Sequence, residues 1–510
     1  MSDIKPLIDL SNQIREKQVR YSELNWTYYT TGLDFEIESA REEMMTIYKD
    51  KNNFDLIRKF KEKSGTLSPD DQRRVEILFN SFEGYHLSEE LNKLDDEIFE
   101  VKNKLSGILN NHRCTIDGKE VSSTEISSLI SKNDDPQIRR KAWESKSQVN
   151  QPLFDGGFLE LNKLRREYAK LYGSKNFVEH ALKVDELSPS VFEGWEERTK
   201  GALPSINKKK NEFAQKYLGQ DELKPWDISY LSGKICPSRN ADVDMMNFKD
   251  PIRDMFGRFG FDIDSKNVTF DVFPRKNKSE WGYNFTIDYG KDTRILANVN
   301  NEFHHFWVLM HEAGHAVHYG SVDPDDYIMN MGISGIISEG LANLFGDLIY
   351  HPSFFDGMFS DTKKAEAEFN ALMSWNKMTT LLDVDRILFD QALFIEKLET
   401  HDDIKNLRLK YMKELGGIDD FTGEPPWAFL IHHTTHPIYL HNYFMGDVTC
   451  AMLKKVFCQQ TGLAVIHEKP LEFGNFLMEK VISPSGRYRY EELFESIAGS
   501  KFSLNYLLED

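Results

Sequence analysis

The chain has 510 residues, with 63 Lys and Arg against 82 Asp and Glu and a formal net charge of −19; at 40% hydrophobic and 12% aromatic residues it can bury a large core, which excludes general disorder. An acidic surface repels phosphate backbones and anionic lipid, which argues against nucleic-acid and membrane partners. Four cysteines with no Cys-x-x-Cys pair exclude a disulfide framework or zinc ribbon and read as buried thiols, and with no apolar leader or run of about 18 apolar residues the chain is expected in the cytoplasm.

From Ile4 to about Leu182 apolar residues recur at intervals of three and four, as in Asp95–Leu105, and Pro and Gly are sparse, so this half is predicted to be nearly all helix. Ser122 followed three residues later by Glu125 marks a helix start before Ile126. Between about Lys224 and Asn300 the prolines 225, 237, 251 and 274 break the helical pattern. Val268–Phe273 and Tyr283–Tyr289 alternate in the manner of strands, and the turn Tyr289–Asp292 leads to a hairpin partner at Thr293–Val299. Helical patterning resumes at Glu302 and runs, with loops, to the C-terminus. No Gly/Ser linker separates independent domains, so the expected architecture is mainly α: two helical halves sharing one cleft, with a small β-sheet in the middle.

The segment His311-Glu312-Ala313-Gly314-His315 lies in the apolar helical run Phe303–Tyr319. Residues four apart stack on one helix face, so both imidazoles can reach one metal ion while Glu312, one position round, addresses the attacking water. The bland alternative is a pair of core histidines on a buried helix. Against it stands Ile333–Ile349, a mostly apolar helix with a polar stripe at Glu339, Asn343 and Asp347. A carboxylate buried on such a stripe needs a counter-charge or a cation, and Glu339 as third ligand leaves one coordination position open, the catalytic pattern for Zn²⁺. Asn343 and Asp347 are both candidates to orient a ligating histidine through its other ring nitrogen. His304 and His318 share the ligand stripe and read as cleft-lining or structural. A second cluster, Trp427–Phe444, gathers His432, His433, His436, His441, Tyr439 and Tyr443, groups able to donate to the oxyanion of peptide hydrolysis.

These residues resemble the superfamily of helical zinc peptidases that contains thimet oligopeptidase, oligoendopeptidase F and angiotensin-converting enzyme. His311-Glu-Ala-Gly-His315-Ala-Val-His318 is close to the thimet-type signature, the interval from His315 to Glu339 is similar to the converting-enzyme spacing, and Gly290–Ile295 and Leu407–Tyr411 look like segments of that branch. The resemblance covers roughly residues 270–500. It implies one Zn²⁺ per chain on His311, His315 and Glu339, Glu312 as general base, and Tyr443 as oxyanion donor together with His433, for which His436 is a rival. Here Tyr439 stands four residues before Tyr443 where the family has three, and the family's aspartate one turn past the third ligand is Asn343.

The resemblance further implies that Ser279–Phe285, with Trp281 and Gly282, supplies an edge strand along which extended peptide lies antiparallel, with His436 and Tyr439 as further substrate contacts. It implies an N-terminal helical half at 1–190 that walls or lids a deep channel, and a catalytic half at 191–510, as one contiguous peptidase unit. The expected activity is a zinc-dependent oligopeptidase acting on short unstructured peptides. The alternatives are an end-directed carboxypeptidase or dipeptidyl peptidase, for which Lys454, Arg487 and Arg489 offer cations to hold a terminal carboxylate, a protease dedicated to maturing one peptide, and a non-catalytic peptide-binding protein.

Overall fold

The computed structural model describes residues 4–279 and 282–508. The chain forms two compact units, each assembled from three stretches: Met1–Leu87, Asn240–Thr362 and Gly446–Phe502 in the first, Ser88–Arg239, Lys363–Met445 and Ser503–Asp510 in the second. Both are mainly helical, and the described strands form only two small sheets.

In the first unit the helices Lys5–Thr31, Ile37–Lys49, Lys51–Glu62 and Pro69–Glu83 open the chain. Of these helices the last two start on side-chain caps: Asp50 accepts from the Asn52 N–H, and Ser68 from the Asp71 N–H with Pro69 in the first turn, where its missing N–H is no loss. Their apolar stripes, among them Leu7, Ile14, Leu78 and Phe82, share one core with Tyr327 and Met329 from much later in the chain.

The second unit carries a hairpin, β1 (Cys114–Ile116) and β2 (Lys119–Val121), within the stretch expected to be nearly all helix. Asp117 and Gly118 both have positive φ, 49° and 78°, which is the turn that Asp-Gly favours and that lets three-residue strands pair. The helix Ser123–Lys132 follows, closed at its start by the reciprocal Ser122 and Glu125 bonds that the sequence predicts. Deeper in this unit Arg139 and Asp227 form an ion pair of 2.6 Å, each side chain only 2% exposed.

The first unit's sheet has the order β3 (Val268–Asp271), β5 (Asp292–Leu296), β4 (Tyr283–Asp288). β4 and β5 are antiparallel, joined through Gly290 at φ 70°, and β3 pairs with β5 in parallel, which leaves β4 an edge strand. The sheet packs on the helix His305–Gly320, hereafter the histidine helix, which in turn packs on Gly335–Asp347, the glutamate helix. Both are apolar on nearly every side, the composition of helices surrounded by protein.

Their close approach depends on Gly314, where a Cβ would lie 2.8 Å from Ala342 Cα and 3.2 Å from Phe345 Cδ2. On its other side the glutamate helix meets the helix Leu440–Thr461 at Gly446, where a Cβ would lie 3.0 Å from Glu339 Cβ. By contrast Gly257, inside the helix Lys249–Arg258, has open space around it. The same substitution therefore has opposite signs. Gly257→Ala should stabilise by about 0.5–1 kcal/mol through helix propensity, and Gly314→Ala should destabilise by about 1–3 kcal/mol through overpacking. Urea midpoints at constant slope read both, and a stabilised Gly314→Ala would show that the two helices are not held at this distance.

Candidate metal centre

The histidine helix places His311 and His315 one turn apart on one face, ring centroids 4.9 Å apart and planes at 88°. Glu339 reaches them from the glutamate helix, with Oε2 3.7 Å from His311 Nε2 and Oε1 3.8 Å from His315 Nε2. These separations are too long for hydrogen bonds and close to the edge of about 3.4 Å that ligand atoms 2.0–2.1 Å from a tetrahedral cation would share. The side chains of His311, His315 and Glu339 are 15%, 12% and 21% exposed. Among the described residues this is the one group of three or more such side chains able to hold a metal ion.

Burial works against every charge in the group. It pushes His311 down to about 4, partly countered by the neighbouring Asn343 amide and the Asp347 charge, and holds His315 well below its ordinary value, with His311 and His318 adding to the effect. Burial raises Glu339 to about 7, and it raises Glu312 to about 8 with help from the Glu339 charge, against the Asn284 backbone N–H that the Glu312 carboxylate accepts. Two neutral imidazoles and a carboxylate short of counter-charge are what a divalent cation requires of its ligands, so the residues fit the group.

His315 Nδ1 lies 2.7 Å from Ser338 Oγ, a buried hydroxyl immediately before Glu339. A bond at Nδ1 leaves the Nε2 lone pair facing Glu339 and fixes the ring plane. Ser338 also engages Tyr319, which stacks on His315. Neither partner is visible in the sequence, because Ser338 belongs to the apolar run that flags Glu339. Of the two residues expected behind the ligands, Asn343 stands beside His311 and donates its amide to Asp447 Oδ1 at 2.8 Å, whereas Asp347 is turned to Trp307 and Lys454. His318 is buried in the core, and His304 pairs with Glu302.

Glu312 faces strand β4. Its carboxylate accepts from Asn284 N–H, and a Cβ on Gly282 would lie 3.7 Å from its Oε1. Trp281 lies outside the described residues.

The remaining expected residues belong to the second unit. His433 is buried against Phe389 with Nδ1 3.0 Å from Trp427 O, and burial together with Arg408 pushes it down to about 3. A neutral ring that donates from Nδ1 to a carbonyl presents only a lone pair at Nε2. His436 is exposed, with Nδ1 at Thr435 Oγ1. Tyr439 and Tyr443 are 41% and 45% exposed, ring centroids 5.4 Å apart, and His432 stacks on the first and meets the second edge-on. The structure thus brings His432 to the tyrosines and sends His433 inward, an arrangement set by the loop backbone.

A profile of Peptidase family M3 matches residues 129–251. No curated protein matches the chain in sequence. Among solved structures, the BsuCP crystal structure superposes with a TM-score of 0.64 at 15% identity, over 99% of this chain and 97% of that one. The M32 carboxypeptidase from Deinococcus radiodurans R1 gives 0.64 at 14% identity over the same shares, 99% and 97%. PZ peptidase A, solved with inhibitor 2, gives 0.66 at 15% identity over 93% of this chain and 85% of that one. The chain shares the fold of these solved structures. Among the described residues no helix is long and apolar enough to cross a membrane.

Ser338→Ala should weaken divalent-metal binding by about 10- to 100-fold, measured by competition of the apo-protein against a chromophoric chelator; unchanged affinity would reduce the Ser338 bond to packing.

Proposed function

We propose that the chain is a zinc-dependent oligopeptidase hydrolysing short unstructured peptides, with His311, His315 and Glu339 as ligands of one Zn²⁺ and Glu312 as general base. The observation that carries this reading is the meeting, within one unit, of the three ligand atoms with a second carboxylate, that of Glu312, set against an edge strand. Two imidazoles and one carboxylate suit zinc better than the all-oxygen shells preferred by Mg²⁺ and Ca²⁺. Bound there, the ion supplies Lewis-acid polarisation of a carbonyl and lowers the pKa of water.

The chain's own groups do the rest. Glu312, steered by the Asn284 N–H, takes the proton of the attacking water on a carboxylate oxygen and hands it to the departing amine. Beyond the Asn284 N–H that serves Glu312, the outer edge of β4 would offer its backbone N–H and C=O groups to an extended peptide without reading side chains, which supports tolerance of sequence. On the resemblance of its sequence we assign the Tyr443 hydroxyl as donor to the oxyanion, with Tyr439 and His436 as substrate contacts. The inward turn of His433 favours a structural part for it in holding the loop. Four free thiols, three of them buried, support assignment to the reducing cytoplasm.

Glu312→Gln should lower kcat by about 10²- to 10⁴-fold while metal analysis finds zinc content unchanged; a chelator should abolish wild-type turnover and Zn²⁺ restore it. Full activity in the variant would remove the mechanism, and hydrolysis indifferent to chelator would remove the metal.

One observation favours a second reading, that of an end-directed carboxypeptidase: an M32 carboxypeptidase shares this fold over 97% of its own length. The cations considered for the terminal carboxylate are each engaged, Lys454 by Asp347 at 3.0 Å, Arg487 by Asp70 at 2.9 Å and Arg489 by Glu76. Such a clamp would have to come from other residues. One peptide offered with free and with amidated C-termini separates the two: an oligopeptidase cleaves both at internal bonds at similar rates, whereas a carboxypeptidase trims the first and spares the second.

A further inference from the structure

His315 is oriented by a hydroxyl, but His311 is oriented differently. The indole of Trp307, one turn earlier on the same helix, lies nearly flat on the His311 imidazole, with centroids 4.9 Å apart and planes at 24°. The indole has its own anchor. Its Nε1–H is directed at Asp347 Oδ1 at 3.5 Å, and the other oxygen of Asp347 accepts from Lys454 Nζ at 3.0 Å. The ring also needs a gap in the facing helix. Gly346 provides it: a Cβ there would lie 2.9 Å from both Cε2 and Nε1 of Trp307. A side chain at 346 would therefore push the indole off the plane it shares with the ligand.

We propose that Trp307 is a positioning residue for His311, and that Asp347, held by Lys454, sets the plane of the indole and through it the plane of the ligand. The inference rests on the reading of His311, His315 and Glu339 as a metal site. An imidazole presents its Nε2 lone pair to a cation only within a narrow range of ring rotation, and a flat ring clamped along one face restricts that rotation as a hydrogen bond at Nδ1 would. Packing alone would call for a large apolar side chain at 307. It would not call for an indole whose polar edge is tied to an ion pair, nor for a bare Cα opposite that edge.

The test uses full-length apo-protein and two probes, Zn²⁺ in competition with a chromophoric chelator and Co²⁺ followed by its visible absorption. Trp307→Ala should bind Zn²⁺ about 10- to 100-fold more weakly and give a Co²⁺ band altered in energy or intensity. Trp307→Phe, which keeps the flat ring and loses the tie to Asp347, should recover part of that affinity. Asp347→Asn, which keeps the indole and an oxygen acceptor but loses the charge held by Lys454, should lie between Trp307→Phe and the wild type. In the wild type, Co²⁺ should quench part of the tryptophan emission, and that part should be missing in Trp307→Phe. If Trp307→Ala does not fold, judged by its unfolding transition without metal, Asp347→Asn carries the test, with an expected loss of about 3- to 10-fold in affinity and a shifted Co²⁺ band, below the range for a residue that touches the ligand itself. Wild-type affinity and an unshifted band in Trp307→Ala, or in Asp347→Asn where that variant stands in, would overturn the proposal. A wild-type protein that binds neither ion fails at the metal reading instead, so the two failures are distinguishable.

Discussion

The candidate site depends on one steric constraint, the approach of two apolar helices at a residue with no side chain. His311 and His315 are neighbours by helical period alone, but Glu339 comes from a different helix and meets them only because Gly314 lets the backbone at Ala342 draw close. A third helix presses from behind at Gly446, against the Cβ of Glu339 itself. The carboxylate is thus placed by packing, with little freedom to relax away from the imidazoles. Interiors packed to this density transmit displacement directly, so a methyl group at a helix contact bears on a ligand atom several ångströms away.

That packing has an electrostatic consequence. Burial strips most of the water from three ionisable groups and from Glu312 beside them, and each is driven toward its neutral form. In a purely structural core such a cluster would be a net loss, since apolar residues of equal volume would do better. Here the same burial keeps both imidazoles unprotonated, as ligands, and leaves two carboxylates whose charge a divalent ion would restore. Among the described residues no lysine or arginine is one of the groups that shift these four, so no ion pair relieves the cluster.

What was legible in the sequence is what local period and spacing encode. Two histidines four apart, a polar stripe on an apolar helix, the Ser122–Glu125 cap, the strand patterns of β3 and β4 and the hairpin turn to β5 all act within a few residues or one element, and the structure has each of them. The hairpin at 114–121 escapes because its strands are three residues long, too short for a period to register, although Asp117-Gly118 is a turn signal in plain view. Ser338, Trp307 and Asp447 escape for a different reason: each acquires its role from a partner on another element, and nothing in its own neighbourhood marks it. The orientation of His433 belongs to this class as well. Arg165 donates to the carbonyls of Thr434 and Thr435, buried Asp390 accepts from Ile438 N–H at 2.6 Å, and Ile438 is left with φ at 56°, a conformation a β-branched residue rarely adopts. Helices distant in sequence thereby hold a strained loop and decide which histidine turns inward.

The same network bears on selectivity. A terminal carboxylate is recognised by a cation with open valences, and Lys454 is not such a cation, because its ammonium serves Asp347 and, through it, the indole on His311. Recruiting it to bind substrate would draw Asp347 away from Trp307 and loosen the indole that lies on His311 in the same movement. An edge strand imposes no such conflict, since pairing with its outer backbone groups draws on no ion pair of the site, whichever residues the peptide carries. Within this unit the recognition that leaves the metal centre undisturbed is recognition of extended backbone, and that is the physical ground for placing internal cleavage of unfolded peptides ahead of trimming from an end.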